Sequence, residues 1–402
     1  MASSFTWLDY SEHERRKMLD VIHLFQEKDT RDELGIGSVR DAFADLLFPG
    51  TSTIQTRARY FLLIPWMYIG LERRKVPSNS ISRKARDEET ALIDVLARSE
   101  DSQGTIGVVA RRSLKRLPSN IYWQGLGRWG IRLFPGSQEQ YHRSLDIFYS
   151  YGKRQQNNDD GEPVDGSVPR NWHSALPPAP KDFPRNVTLS LTSNEAMYLR
   201  ERILTCVPQT LIAFLVDEGK VTAPTDFPWE HPQFGDFPAY IQEQLEHARN
   251  FSEIIHGAAL LYNLMLAEVA HHEDLIEEYS GWLTEWVSSI NMRHTDLLKW
   301  NRRRFWEIAT LGNQRITQPA RLFIDGWLDL AISNMEGINI LADKRARRLI
   351  QDRERQLKRG LARLDNVRAL ELWSGAAGTA QLDYRWSVTQ TIVRDILTAL
   401  AE

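Results

Sequence analysis

The 402-residue chain is 42% hydrophobic, with 13 Trp and 15 Phe, which excludes an intrinsically disordered chain and leaves enough apolar material for two or three domains. Its one cysteine, Cys206, excludes an internal disulfide, and no charged stretch leads into an apolar run at the start, so a reducing, cytoplasmic setting is expected. The net charge of −3 hides opposing blocks: residues 50–135 carry +8 and 301–402 carry +5, against −4 for 1–49 and −12 for 136–300.

In chain order, Ser11-Glu12-His13-Glu14 has the spacing of a capping box ahead of a helix with Met18, Leu19, Ile22 and Phe25 on one side. A second helix is expected from Ser38 to the Pro49-Gly50 turn. A third starts near Ser52, where Gln55 completes another box and Ile54, Ala58, Phe61 and Leu62 turn inward. Residues 83–98 read as a helix, and 104–134 as a basic helix followed by a Gly- and Trp-rich loop. From 152 to 184 apolar periodicity stops. A polar run, Gln155 to Asp160, precedes prolines at 163, 169, 177, 178, 180 and 184, which marks a linker or a draped surface segment.

Val187, Leu189 and Leu191 alternate as in a short strand, ahead of a capped helix opening at Thr192 with Glu195. The clearest period lies in 245–269. Leu245, Ala248, Ser252, Ile255, Ala259, Tyr262, Leu266 and Val269 recur at 3,4 spacing beside a second stripe through Phe251, Ile254, Ala258, Leu261 and Met265. So wide an apolar face suits the centre of a bundle. The apolar runs at 60–71, broken by Pro65, and 257–267 are shorter than a membrane span requires, so no membrane contact is expected. Helices follow near 275–290, 297–310 and 319–335. A charged helix over 340–364 has Asp343/Arg347 and Glu354/Lys358 in the favourable i,i+4 order. Gly375 to Gly378 breaks the pattern, and a last helix runs from Trp386 to Leu400.

No motif for catalysis survives a spacing test. Glu253-Ile-Ile-His256 and Glu268-Val-Ala-His271 are half-motifs of carboxylate-bridged metal bundles, but they lie on one helix about 22 Å apart at 1.5 Å per residue and cannot share an ion. Cys206 falls beside Ile203 and Leu211, as inert packing does. Gly375-Ala-Ala-Gly378-Thr379 lacks the Lys-Ser/Thr ending of a phosphate loop. Neither a metal nor a cofactor is expected, and the balance leans away from an enzyme.

The basic block offers the functional candidates. If residues 52–60 form the second helix of a helix-turn-helix, Gln55, Thr56 and Arg59 face outward with Arg57 near the boundary, and such side chains can reach base edges or phosphates. Arg73, Arg74, Lys75, Arg83, Lys84, Arg111, Arg112, Lys115 and Arg116 can add phosphate contacts. Tyr122-Trp123-Gln-Gly-Leu-Gly-Arg128-Trp129-Gly-Ile-Arg132 interleaves aromatics, glycines and arginines, as a base-stacking loop does. The competing explanation is structural: arginines beside Tyr60 and Trp66 also stack within helical domains, and a tryptophan-anchored turn needs such glycines. The C-terminal block is largely accounted for by a salt-bridged helix.

Several stretches carry a family resemblance: Phe5-Thr-Trp-Leu-Asp-Tyr-Ser-Glu12, Thr56-Arg-Ala-Arg-Tyr-Phe-Leu-Leu-Ile-Pro-Trp66, Ile121-Tyr-Trp-Gln-Gly-Leu126, Gly257-Ala-Ala-Leu-Leu-Tyr-Asn-Leu-Met-Leu-Ala-Glu268 and Leu382-Asp-Tyr-Arg-Trp386. In these the chain resembles an uncharacterised bacterial family, domain of unknown function 6361. The resemblance implies a setting in defence or mobile-element gene neighbourhoods beside helicases and nucleases, and assigns no catalytic residue.

The expectation is therefore a mainly α protein in three parts: a basic helical domain over 1–150 with a helix-turn-helix-like element, a Pro/Asn/Asp-rich linker over 151–186, and a helical bundle over 187–402. The expected role is a non-enzymatic accessory subunit of an anti-phage system. It contacts DNA through Gln55, Thr56, Arg57, Arg59, Arg73, Arg74, Lys75, Arg111, Arg112, Lys115, Arg116 and Arg128. Protein partners, a helicase or nuclease, are expected on the C-terminal bundle. A pure protein adaptor and a metal-dependent nuclease with a dispersed site are the alternatives.

Overall fold

The computed structural model describes residues 32–154, 170–312, 314–333 and 340–402. These are mostly helical, with no β-strand among the described residues; one isolated antiparallel bridge joins Arg132 and Trp172. The expected helix over Met18 to Phe25 and the polar run at 155–160 lie outside the described residues.

In chain order the helices are α1 (Gly37–Leu47), α2 (Tyr60–Arg73), α3 (Ile81–Leu96), α4 (Pro118–Arg128), α5 (Gln138–Arg154), α6 (Ser193–Cys206) and α7 (Leu211–Glu218). After these come α8 (Ala239–Ala270), α9 (Glu273–Met292), α10 (His294–Leu298), α11 (Arg302–Leu311), α12 (Gln318–Ser333), α13 (Lys344–Lys358), α14 (Val367–Leu370) and α15 (Trp386–Ala401). Where a cap is local, the structure follows the sequence reading. Thr192 Oγ1 accepts from Glu195 N at 3.3 Å and the Glu195 carboxylate accepts from Thr192 N at 3.0 Å, so the box at the head of α6 is closed. Val187, Leu189 and Leu191 are buried alternately as a strand's residues would be, but no partner strand pairs with them. Residues 118–128, expected in the Gly- and Trp-rich loop, are helix α4, which opens with Pro118 at its first turn. The basic helix expected before it is only a short 3-10 turn at Arg111–Ser113.

The described chain divides into two compact units that alternate along the sequence: Met1–Phe43 with Glu243–Tyr384, and Ala44–Gln242 with Arg385–Glu402. Residues 187–242 therefore group with 44–150, and the end of the chain returns to that unit. This differs from a linear division at 151–186, and the reason is packing: α15 lies against α6 and α7. Part of the Pro-rich stretch is also fixed there. Trp172 is buried, and Trp66 Nε1 donates to Pro177 O at 2.7 Å.

In the unit that includes Glu243–Tyr384, α8 is the core helix. Its apolar stripe buries Leu245, Ala248, Ile255, Tyr262 and Leu266. Three polar residues of α8 anchor the glycine-broken segment before α15. Asn263 Nδ2 donates to Ala377 O at 2.9 Å, His256 Nε2 to Thr379 O at 2.9 Å, and Ser252 Oγ to Leu382 O at 2.8 Å. The segment thus runs antiparallel to the helix, with its carbonyls matched to side chains. His256 is committed to that role, and Glu268 pairs with Arg347 at 2.5 Å. Among the described residues no cluster of three or more His, Cys, Asp or Glu is placed to hold a metal. Of the two expected pairs on α13, Glu354/Lys358 forms at 3.1 Å, whereas Asp343 instead accepts from Arg345 N as the helix cap.

By length and composition α8 is also apolar enough to cross a membrane, contrary to the expectation from the shorter apolar runs. Of its most apolar stretch 67% is buried inside the protein, the pattern of a core helix.

Gly257 sets the approach of α9 to α8, because a Cβ there would lie 2.4 Å from the Trp286 ring. Gly281 on α9 has nothing within 4 Å of such a Cβ. Helix propensity favours alanine at both by up to about 1 kcal/mol, but overpacking costs about 1–3 kcal/mol. Urea unfolding should therefore show Gly257→Ala destabilised and Gly281→Ala unchanged or slightly stabilised; equal effects would refute this account of the contact.

Candidate nucleic-acid interface

Residues 52–59 are turns, and α2 begins only at Tyr60. The expected recognition helix is absent although its capping signal is partly realised: Gln55 Oε1 accepts from Ser52 N at 3.2 Å. What stops the helix is the fate of the next three amides. Thr56 N and Arg57 N donate to Tyr122 Oη at 2.9 and 3.1 Å, Tyr122 Oη donates to Arg57 O at 2.9 Å, and Ala58 N donates to Asp395 Oδ2 at 2.9 Å. Amides held by side chains of α4 and α15 are not available to a helical ladder.

The same segment draws in its side chains. Gln55 is buried, with Nε2 donating to Gly50 O at 3.2 Å, and Thr56 Oγ1 donates to Gly104 O at 2.6 Å. Arg57 forks onto two carboxylates: Nη1 and Nη2 meet Asp101 at 2.7 and 2.8 Å, and Nε meets Asp395 at 2.9 Å. Burial alone would lower the Arg57 pKa, but the hydrogen bonds to Asp101 and Asp395 outweigh it and hold the guanidinium above the ordinary arginine value. Asp101 is held below the usual carboxylate range by its bond from Arg57, while burial pushes Asp395 up against the same pull. Arg59 is 6% exposed. It pairs with Glu195 at 2.8 Å, donates to Thr188 O at 3.1 Å and lies over the Trp66 ring at 5.9 Å. Four of the twelve expected contact residues, Gln55, Thr56, Arg57 and Arg59, are thus engaged inside the protein.

The aromatic stretch is engaged too. Tyr122, Trp123 and Trp129 are buried, with Phe61 stacked on Trp129 at 3.9 Å, and Arg132 lies over Trp123 at 4.7 Å with Nε donating to Trp123 O. No ring of this stretch is open for a base to stack on.

The other eight residues are at the surface, and the structure brings most of them to one helix. Arg74 pairs with Glu88 of α3 at 2.5 Å, Arg111 pairs with Asp94 of α3, and Arg86 of α3 donates to Leu114 O at 3.1 Å. The turn at 73–75 and the segment 111–116 therefore both lie against α3, whose own Arg83, Lys84 and Arg86 are exposed. Residues 73–86 and 111–116 contain ten Lys and Arg and no Asp or Glu. Two of these cations are paired, while Arg73, Lys75, Arg83, Lys84, Arg112, Lys115 and Arg116 are exposed and make no ion pair with the described residues. Arg128 is exposed at the far end of α4, about 15 Å of helix from Pro118 at 1.5 Å per residue, apart from this group. Arg86 was not among the expected contacts, although the 83, 84, 86, 87 spacing on one side of Ile81, Ala85, Leu92 and Ile93 marks an outward face.

Under that face lies a buried carboxyl that sequence patterning did not single out. Glu89 of α3 accepts from Ser119 N at 2.8 Å and from Ser119 Oγ at 2.7 Å, and Gln138 Nε2 bridges Ser119 Oγ at 2.7 Å to Tyr68 Oη at 2.6 Å. Burial pushes the Glu89 pKa up to about 7, against the lowering pull of the Ser119 bonds.

Over residues 2–400 the chain matches a family described as a family of unknown function (DUF6361). No curated protein and no solved structure matches it.

An acid whose folded pKa is raised is protonated longer in the folded chain than in the unfolded one, so it favours folding at low pH. Its contribution falls as pH rises from the ordinary glutamate value of 4.5 to about 7 and is level above that. The loss amounts to about 3 kcal/mol at most. Denaturant unfolding at pH 5 and pH 8 should show the wild type losing more stability across that interval than Glu89→Gln, and parallel pH profiles for the two would contradict the assignment.

Proposed function

The chain belongs to the family of unknown function DUF6361, and we propose that it binds double-stranded nucleic acid through the surface built on α3, as a non-enzymatic accessory component. The observation that carries this reading is the set of cations from 73–86 and 111–116 gathered along α3, seven of them exposed and without an ion pair among the described residues. Unpaired surface cations release condensed counterions when they meet phosphates, and this sequence-independent term supplies most non-specific affinity. The likeness in sequence that implies defence neighbourhoods supports placing the activity in an anti-phage system of the bacterial cytoplasm, beside a helicase or nuclease partner.

The reading differs from the initial expectation in which residues it uses and in what they can read. Gln55 and Arg57 are occupied within the protein, so side chains suited to base edges are not offered by 52–59. Lys and Arg on phosphates fix position without reading sequence. With Tyr122, Trp123 and Trp129 buried, the stacking that favours single strands is missing, and duplex is the preferred form.

Fluorescence anisotropy with a 30-base-pair duplex across a salt series tests the proposal. Affinity should fall steeply with salt. Replacing Arg83, Lys84, Lys115 and Arg116 together by alanine should reduce the slope of log K against log salt by about 3–4. A duplex of unrelated sequence should compete equally, and Arg303→Ala, 90% exposed in the other unit, should change nothing. Absence of binding at low salt, or binding that the fourfold variant leaves intact, rules the proposal out and favours an acidic protein as the partner of this surface.

A further inference from the structure

In the unit comprising Ala44–Gln242 and Arg385–Glu402, a cavity of about 90 Å³ opens between the end of α7, one face of α15 and the extended segment 220–224. Helical spacing sets its α15 side: Trp386, Gln390, Val393 and Leu397 recur at intervals of three and four and so share a face. The segment over it is pinned at both ends. Lys220 N donates to Gln233 Oε1 at 2.8 Å, while Thr225 N donates to Gln390 Oε1 at 3.1 Å and Gln390 Nε2 donates to Thr225 O at 3.1 Å. Trp386 Nε1 also donates to Thr225 O, at 3.1 Å. Pro224 fixes one φ between the anchors, so the shape of the hollow is set by the fold itself.

Those bonds consume the polar atoms of the floor. With the indole N–H and the Gln390 amide committed to Thr225, the floor presents the Trp386 ring with Leu215, Val393 and Leu397, which is apolar surface. The wall carries one donor that is poorly met. His231 is 6% exposed and its Nδ1 accepts from Gln233 N at 3.2 Å, so the ring proton sits on Nε2. That atom faces Thr222 Oγ1 at 3.4 Å, the long limit of a hydrogen bond. Burial lowers the His231 pKa, which keeps the ring neutral. At the rim stand Lys220 and Arg394, both exposed and neither in an ion pair with the described residues. None of the described lining residues is Asp or Glu.

We propose that this cavity binds a small carboxylic acid with an apolar body, its carboxylate held at the rim by Lys220 and Arg394 and its body laid against Trp386 and Leu397. An apolar hollow with a few convergent polar groups is the ordinary form of a small-molecule site, and here the polar groups are two cations and two donors, which call for a negative head. A guanidinium grips a carboxylate through two parallel N–H bonds, and an ammonium adds a compact charge. Thr222 Oγ1, as acceptor from His231, keeps its own proton to give. At roughly 10–15 Å³ for each water-sized group the space admits about six to nine non-hydrogen atoms, the size of a branched short-chain acid or an aromatic one; a nucleotide is too large. No lining residue belongs to α3 or to 111–116, so the site is independent of the surface proposed for nucleic acid.

Fluorine NMR of para-fluorobenzoate titrated with the full-length protein reads binding at the weak affinities that so few atoms allow. The ligand resonance should broaden, and benzoate should reverse the broadening. Benzyl alcohol, which keeps the ring without the charge, and inorganic phosphate, which has the charge without the body, should each compete at least about tenfold less well than benzoate. Lys220→Gln combined with Arg394→Gln should weaken para-fluorobenzoate by about tenfold. The variant lacking Arg83, Lys84, Lys115 and Arg116 should bind it as the wild type does, a contrast that separates the cavity from adsorption to surface cations. Absence of broadening, equal competition by phosphate or benzyl alcohol, or a double variant that binds like the wild type overturns the proposal. If the double variant fails to fold, the competition series on the wild type decides.

Discussion

The unit comprising Ala44–Gln242 and Arg385–Glu402 depends on one polar junction around residues 56–58. A hydroxyl has one proton to give and two lone pairs to offer, and Tyr122 uses all three, accepting from Thr56 N and Arg57 N and donating to Arg57 O. Asp395 takes the next amide, Ala58 N, and the Nε of Arg57, whose remaining nitrogens close on Asp101; Asp101 in turn accepts from Ser190 Oγ at 2.8 Å. Five stretches far apart in sequence are joined with every donor matched. Because an unpaired buried backbone group costs about as much as a lost hydrogen bond, the junction fixes where α2 can start. It also fixes how the end of the chain, through α15, closes this unit.

That junction explains why some of the fold is legible in the sequence and some is not. The Thr192–Glu195 box and the 3,4 period of α8 are local: their partners lie within a turn or two of helix, so spacing alone locates them. Ser52 and Gln55 have the same local signature, and half of it forms. The helix it should announce does not follow, because Tyr122 and Asp395, separated from it by some 65 and 337 residues, take the amides first. Nothing in residues 49–62 by themselves records that competition. The Trp-rich stretch at 122–132 misleads for a related reason. Its glycines suggest a loop, but Gly125 and Gly127 lie on α4, and Gly125 is a close-approach position against Gly50 O and Phe61.

The candidate surface was legible as an amount of charge and not as an arrangement. A block at +8 over 50–135 contains arginines of two physical kinds. Arg57, Arg59 and Arg132 are partnered inside the protein by Asp101, Asp395, Glu195 and backbone carbonyls, and these are as basic in a sequence count as Arg83 or Lys115. Only the pairing pattern separates cations that hold the fold together from cations left to meet a polyanion. The outward face of α3 could have been found by helical period, whereas the approach of 111–116 to α3 needs the non-local contacts Arg111–Asp94 and Arg86–Leu114.

Two buried arginines of this unit, Arg59 and Arg202, differ in how their charge is met. Arg59 has a full counter-ion in Glu195, so its desolvation is offset by a carboxylate at 2.8 Å. Arg202 meets a carbonyl, an imidazole nitrogen and a sulfur, which disperse its charge without cancelling it. Removing a cation from water without a counter-ion costs several kcal/mol, a strain that packing alone would relieve with an apolar side chain of similar length. What the guanidinium supplies in return is connection: it ties α6 to Trp129 and His173, as Arg57 ties residues 56–58 to Asp101 and Asp395.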